Sequence, residues 1–230
     1  MQFIHRHQII LLLLVATITG AIAQPNKEQY DNKWIHFGFS LTMNNASLRV
    51  DPNYSRYMHD SLRDVKQSSF PGIGLGALAN FRLSKSFDIR VMFPQISFAQ
   101  RNLTYQFDGS QKIVKIESAY CDGSLLIKYK SARRKNIRAY VIAGGRMSYD
   151  LASTQNQNRS NNSPVVSLMP LTYGYEGGFG LDIYFPYFKL SPELKFCNTI
   201  WNAMYRDGYV YTEAINKITP QMVVFSLHFE

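Results

Sequence analysis

The chain has little cysteine, with two residues in 230, and little charge, with Asp, Glu, Lys and Arg making up 18%. Two thiols exclude a disulfide-stapled scaffold and a multi-cysteine metal module. No apolar run after residue 20 reaches the length of about 18 residues that a membrane helix needs, which excludes a helical membrane protein. Acidic residues are also scarce, 16 against 25 Lys and Arg. Glycine (14) and proline (9) are too few for a collagen-like or low-complexity chain. Aromatic residues, in contrast, are plentiful: 15 Tyr and 15 Phe are heavy for a helical protein. A soluble β-protein and an outer-membrane barrel both remain open.

The first 23 residues, MQFIHRHQIILLLLVATITGAIA, have the layout of an export signal. Arg6 with His5 and His7 makes a basic start, Ile9 to Ala16 an apolar core, and Ala21-Ile22-Ala23 a small-residue cleavage site before Gln24. No cysteine follows the site, which argues against a lipoprotein. The expected organisation is a signal peptide over 1–23, a short periplasmic lead over 24–33, and one barrel domain over 34–230. No linker divides a second domain from it.

From Trp34 onward the sequence alternates with a period of two, the mark of strands whose faces meet different surroundings. In WIHFGFSLTM, Ile35, Phe37, Phe39, Leu41 and Met43 share one face against His36, Gly38, Ser40 and Thr42. GIGLGALANFRL and LTYGYEGGFGLDIYF repeat the pattern. Segments at about 87–107, 112–130, 138–151, 188–199 and 219–229 bring the count to eight antiparallel strands, with ten still open. Pro94 interrupts the third strand, and the apolar parity shifts after it to Ile96 and Phe98, which predicts a bulge. Connections at about 44–70, 152–167 and 199–218 are expected to be long, polar and extracellular. Those at 83–86, 131–137 and 185–188 are expected to be short periplasmic turns, and the one at 108–111 is short on the outside.

The polar parity decides between barrel and sandwich. It carries Arg82, Asp88, Arg90, Lys128, Arg146, Glu176, Asp182, Glu193 and Lys195, interleaved with glycine. Facing lipid at the bilayer midplane, each Arg or Lys would cost about 2–4 kcal/mol. These residues are therefore expected to line a lumen, with Arg90, Lys128, Arg146, Glu176, Asp182, Glu193 and Lys195 forming an ion-pair network that plugs it. Eight strands leave room for side chains only, so a pore is disfavoured. Trp34, Tyr129, Tyr149, Phe185, Tyr187, Phe188 and Phe229 fall near strand ends and are expected to form interfacial girdles. A soluble sandwich is the competing architecture.

Candidate chemistry is sparse. His36 and His228 share the inward parity on the first and last strands, a possible metal or proton site, although no ligand lies at suitable spacing and a hydrogen-bonded pair is favoured. Cys121 is expected to face outward and Cys197 inward. Ser47, Ser55, His59 and Asp60 fall in one polar loop, a weak hint of a lipid-modifying enzyme. The basic run Lys130 to Arg138, with Arg133, Arg134 and Lys135 at its centre, occupies a periplasmic turn. It reads as a surface for an acidic partner, a contact with anionic headgroups, or a solvated turn. Export excludes nucleic acid as its partner, and no small-molecule substrate is expected.

The block GGFGLDIYFPYFKLSPELKF, from Gly177 to Phe196, resembles the most distinctive segment of the PorT proteins, also called SprT, of the type IX secretion and gliding machinery of Bacteroidetes. Supporting matches are HFGFSLTMN, RNLTY, LLIKYKS, YVIAGG, YDLAS and the terminal FSLHFE, in order along nearly the whole mature chain. The family motif falls here on Gly178, Gly180, Asp182, Pro186, Pro192 and Glu193. In one departure, a Phe-Pro pair that precedes LLIKYKS in the family is Cys121 to Ser124 here. The resemblance implies a non-enzymatic outer-membrane barrel needed to export cargo proteins, with no catalytic residue or cofactor, surrounded by outer-membrane lipid and other secretion proteins. The alternatives are a general adhesion or stability barrel and, behind it, the lipid-modifying enzyme.

Overall fold

The computed structural model describes residues 30–52, 62–107, 110–153, 168–204 and 215–230. The expected signal peptide, Ser55, His59 and Asp60 lie outside these residues. Eight strands follow one another: β1 (Ile35–Pro52), β2 (Leu62–Arg82), β3 (Phe87–Phe107), β4 (Ser110–Lys130), β5 (Ile137–Asp150), β6 (Leu171–Tyr184), β7 (Lys189–Thr199) and β8 (Ile215–Phe229). Each pairs antiparallel with the next, and β8 returns to β1, closing the barrel. Closure leaves no edge over the paired stretch, so the backbone groups there are satisfied between strands, as a lipid environment demands. The sandwich alternative is thereby excluded.

The alternation is realised as predicted through the middle of each strand. On β4, Leu125 and Ile127 are 61% and 58% exposed, whereas Leu126 and Lys128 are fully buried. On β1, Phe37, Phe39, Leu41 and Met43 point out while Ser40, Thr42 and Asn44 point in. The nine residues from Ile35 to Met43 match the roughly 9–11 that a tilted strand uses to cross the hydrocarbon. The break at Pro94 is also real. The β3–β4 register shifts between Met92 and Gln95, the Phe93–Pro94 peptide is cis, and the buried parity moves from Asp88, Arg90 and Met92 to Gln95, Ser97 and Ala99. β4 runs unbroken through Cys121 to Ser124 opposite this bulge.

One expectation needs correction. Residues 44–52 and 62–70 are not loop; they continue β1 and β2. Above the lipid band the polarity of the wall inverts. Ala46 and Leu48 now point inward and Asn45 and Arg49 outward; on β3, Leu103 and Tyr105 are buried while Gln106 is exposed. Leu48, Leu103, Tyr105, Val114, Ile116, Ile215 and Ile218 form an apolar core with Leu168 and Met204 from the connections above β5–β8. Once water replaces hydrocarbon outside, the hydrophobic effect selects the opposite face for burial. Ser47 accordingly sits on β1 opposite Gln221, not in a loop.

Candidate functional site

Within the membrane band the inward side chains come from every strand and are buried away from bulk solvent. Charge is therefore compensated pair by pair. Arg90 Nη1 lies 2.6 Å from Glu193 Oε2, and Arg90 Nε donates to Asn80 Oδ1 at 2.8 Å. Tyr140 donates its hydroxyl to the same Glu193 oxygen at 2.8 Å, and His228 Nε2 lies 3.1 Å from Oε1. Lys128 Nζ bridges both oxygens of Asp182, at 2.8 and 2.9 Å, while Ser191 donates to Oδ1 at 2.7 Å. The Lys128 ammonium also stands 3.7 Å from the centre of the Tyr140 ring, a cation–π contact. Nearer the outside, Arg146 Nη2 meets Asp122 Oδ2 at 2.7 Å, and Lys195 Nζ lies 3.4 Å from Glu176 Oε1.

The seven lumenal residues singled out in the sequence thus all lie inside the barrel, divided among three groups. Arg90 with Glu193 and Lys128 with Asp182 are linked through Tyr140; Lys195 with Glu176 forms a second group, beside Arg146 with Asp122. Asp122, Tyr140 and Asn80 escaped the sequence-based list, although all three fall on the inward parity. Apolar side chains pack beside the groups: Leu78, Met92, Leu126 and Ile142 near the first, and Met222 and Val224 beside the other two. A cavity of about 30 Å³ beside Arg101 and Tyr120, and one of about 10 Å³ beside Asp122 and Glu176, are no larger than one or two water molecules need.

The two cysteines are free, with Cys121 half-buried on the outward parity and Cys197 buried. The Cys197 thiol donates to Glu176 at 3.3 Å. The histidines do not meet. His228 stands opposite Ser40 in the β1–β8 register, and His36 opposite Asn80 on β2. His36 instead stacks on Tyr30 at 4.2 Å and bonds its carbonyl at 2.8 Å. Among the described residues no three His, Cys, Asp or Glu side chains are grouped to hold a metal ion.

The end of the barrel that carries the short turns is closed by the residues just before β1. A 3-10 turn, Tyr30–Asn32, lies under the barrel. Asp31 receives Arg138 through both carboxylate oxygens, at 3.1 and 2.9 Å, and Tyr184 donates to it at 3.0 Å. Arg82 donates to the Asp31 carbonyl. Arg133 also bends back: its guanidinium packs 3.8 Å from the centre of the Tyr184 ring, with Nη1 3.6 Å from Asp31. Only Arg134 and Lys135 of the basic triplet are exposed.

Glu230, one residue past β8, completes this latch through Lys189 at 2.8 Å and Asn80 at 2.5 Å. Burial raises its pKa, but the attraction of Lys189, Lys128 and Arg90 outweighs that and holds it at about 2. A depressed carboxylate stabilises the fold above its ordinary titration range and loses that contribution as pH falls towards the folded value. Unfolding monitored between pH 5 and pH 2 should show a loss of about 3 kcal/mol from this group, absent in Glu230→Gln.

The glycines of the block at Gly177–Phe196 have a packing role. A Cβ on Gly180 would lie 2.5 Å from the Tyr140 hydroxyl oxygen and 2.7 Å from the Pro192 carbonyl. Gly180→Ala is expected to push Tyr140 off Glu193 and cost about 1–3 kcal/mol in reversible unfolding, with Gly177→Ala near neutral as the control. Pro192 sits in β7 facing outward, and Pro186 in the β6–β7 turn.

Residues 22–202 match the family described as the outer membrane protein beta-barrel domain. The chain belongs to this family. The protein is thus an outer-membrane β-barrel, its exposed apolar band facing lipid. Among solved structures it is similar to OprG from Pseudomonas aeruginosa, at 13% identity over 84% of this chain and 94% of that one, with a TM-score of 0.45. It is also similar to Ail of Yersinia pestis, at 9% identity, 84% and 96% coverage and a TM-score of 0.38. The N-terminal β-barrel domain of P. aeruginosa OprF aligns at 13% identity, 83% and 96% coverage and 0.35. These likenesses concern the fold alone. No curated protein sequence matches the chain.

Proposed function

We propose that this outer-membrane barrel is a non-conducting, non-enzymatic subunit of a protein-secretion apparatus of the type IX kind, needed for export of cargo. The observation that carries the mechanical part is the sealed lumen: buried ion pairs within the membrane, an apolar core above it, and the Tyr30–Asn32 turn below. A barrel filled in this way works through its surfaces, as an anchor or scaffold for other proteins. The secretion assignment is supported by the resemblance of Gly177 to Phe196, and of the shorter matching segments, to PorT proteins.

Deletion of the gene tests this reading: export of C-terminally tagged cargo should fail and return on complementation, and normal export would defeat it. In planar bilayers the purified barrel should give no conductance steps. A second reading, a surface adhesion or stability barrel, draws support from the extension of β1–β4 above the membrane as paired strand around an apolar core. It expects normal cargo export and altered surface attachment after deletion.

A further inference from the structure

The two ends of the barrel differ in how their exposed charges are mixed. Outside the lipid band, Asp51, Asp64 and Glu117 are interspersed with Arg49, Lys66, Lys112, Lys115 and Lys217. At the periplasmic end the exposed charges are Lys33, Lys85, Arg134 and Lys135, and the described carboxylates there are already engaged. Asp31 is held by Arg138, Asp88 by Lys130 at 2.6 Å, and Glu230 by Lys189. The rim therefore presents cations of one sign.

Depth then selects the partner. Each cation stands close in the chain to an exposed aromatic or apolar residue of the inner girdle: Lys33 adjoins Trp34, and Lys85 lies between Leu83 and Phe87. Arg134 and Lys135 cap a turn closed by the Ser131 to Ala139 and Arg134 to Ile137 backbone bonds, a few residues beyond Tyr129. At about 3.3 Å per residue and the tilt of a small barrel, the tip reaches roughly 10 Å past the girdle. The headgroup layer adds about 5–8 Å on each side of the hydrocarbon, and Lys or Arg side chains bend back over that distance. The tips therefore stand just past the outer edge of the headgroup layer, within reach of phosphates for Lys and Arg side chains that bend back along the barrel.

We propose that the periplasmic rim, through Lys33, Lys85, Arg134 and Lys135, binds the phosphate headgroups of anionic phospholipid in the inner leaflet. The inference depends on the orientation of the barrel and not on the secretion reading. The test uses the full-length mature protein in nanodiscs of phosphatidylcholine doped with phosphatidylglycerol, with retained lipid counted by native mass spectrometry. The wild type should enrich phosphatidylglycerol. Replacing all four rim cations with Gln should remove the enrichment, by about fivefold for each cation that reaches the headgroup layer. A control with Arg49, Lys66, Lys115 and Lys217 changed to Gln removes as many charges from the outer end and should keep it. Both variants must show the heat-modifiable migration of a folded barrel; a rim variant that misfolds is replaced by the Arg134→Gln/Lys135→Gln pair, which should lose part of the enrichment. No enrichment by the wild type, or equal loss in the outer control, overturns the proposal. Unchanged lipid retention with loss of a co-purifying acidic protein from the rim variant would also overturn it, assigning the rim to a protein partner.

Discussion

Glu193→Ala should destabilise the barrel by about 3–5 kcal/mol, the usual cost of stranding a buried charge. Glu193 is fully enclosed and neutralises Arg90 at 2.6 Å while accepting from Tyr140 at 2.8 Å and facing His228 at 3.1 Å. Without it, the Arg90 guanidinium keeps Asn80, a more distant Glu230 oxygen at 3.6 Å and the Tyr140 ring at 5.5 Å, none of which matches the lost carboxylate. Arg90 cannot deprotonate, so the penalty stands at any working pH. Replacing both partners with apolar residues of similar size, Arg90→Met with Glu193→Leu, should recover most of the loss, because the price of desolvation disappears with the charges. Reversible urea unfolding in lipid vesicles measures both. A single variant as stable as wild type would mean that water reaches this layer and that the lumen is not sealed.

Leu103→Ala should cost about 2–5 kcal/mol, and the loss should be confined to the outer part of the molecule. Leu103 is fully buried among Leu48, Tyr105, Val114 and Ile218, above the level where the wall inverts. Truncating it leaves a cavity in a packed, water-surrounded core. Hydrogen exchange should accelerate in β1–β4 beyond Asn45, Ser69, Arg101 and Ser118, and stay slow between Phe87 and Met92. Leu125→Ala, at a lipid-facing position, should be far milder, since its side chain meets fluid acyl chains and leaves no fixed void. Equal effects at the two positions would contradict the inversion.

Much of the barrel was legible because a strand between lipid and lumen writes a period of two directly into the sequence. Leu171 to Phe185 and Ile35 to Met43 are read correctly for that reason, and so is the parity change at Pro94. The outer halves of β1 and β2 were missed because a continuing strand reverses its apolar face there. Asn45, Ser47 and Arg49 on the outside then look like loop residues.

Barrel stagger was also invisible. Parity places His36 and His228 on the inside of neighbouring strands, but the β1–β8 register puts His228 beside Ser40. Network membership follows from parity, whereas partners do not: Arg90 with Glu193 and Lys128 with Asp182 join strands far apart in sequence. The latch of Asp31 on Arg138 and Arg133 had one faint signal, an acidic residue just before the first strand in a chain whose β4–β5 turn is basic.

The direct test of the whole arrangement is a nitroxide scan along β3 from Ile96 to Tyr105 in lipid vesicles, reading collisions with oxygen and with a water-soluble nickel reagent. Ile96 and Phe98 should favour oxygen, Gln100, Asn102 and Thr104 should favour nickel, and Ser97, Ala99, Arg101, Leu103 and Tyr105 should be sheltered from both. Nickel access at the odd positions would show an open, wet lumen, and loss of the alternation would show that this strand is not the wall of a closed barrel.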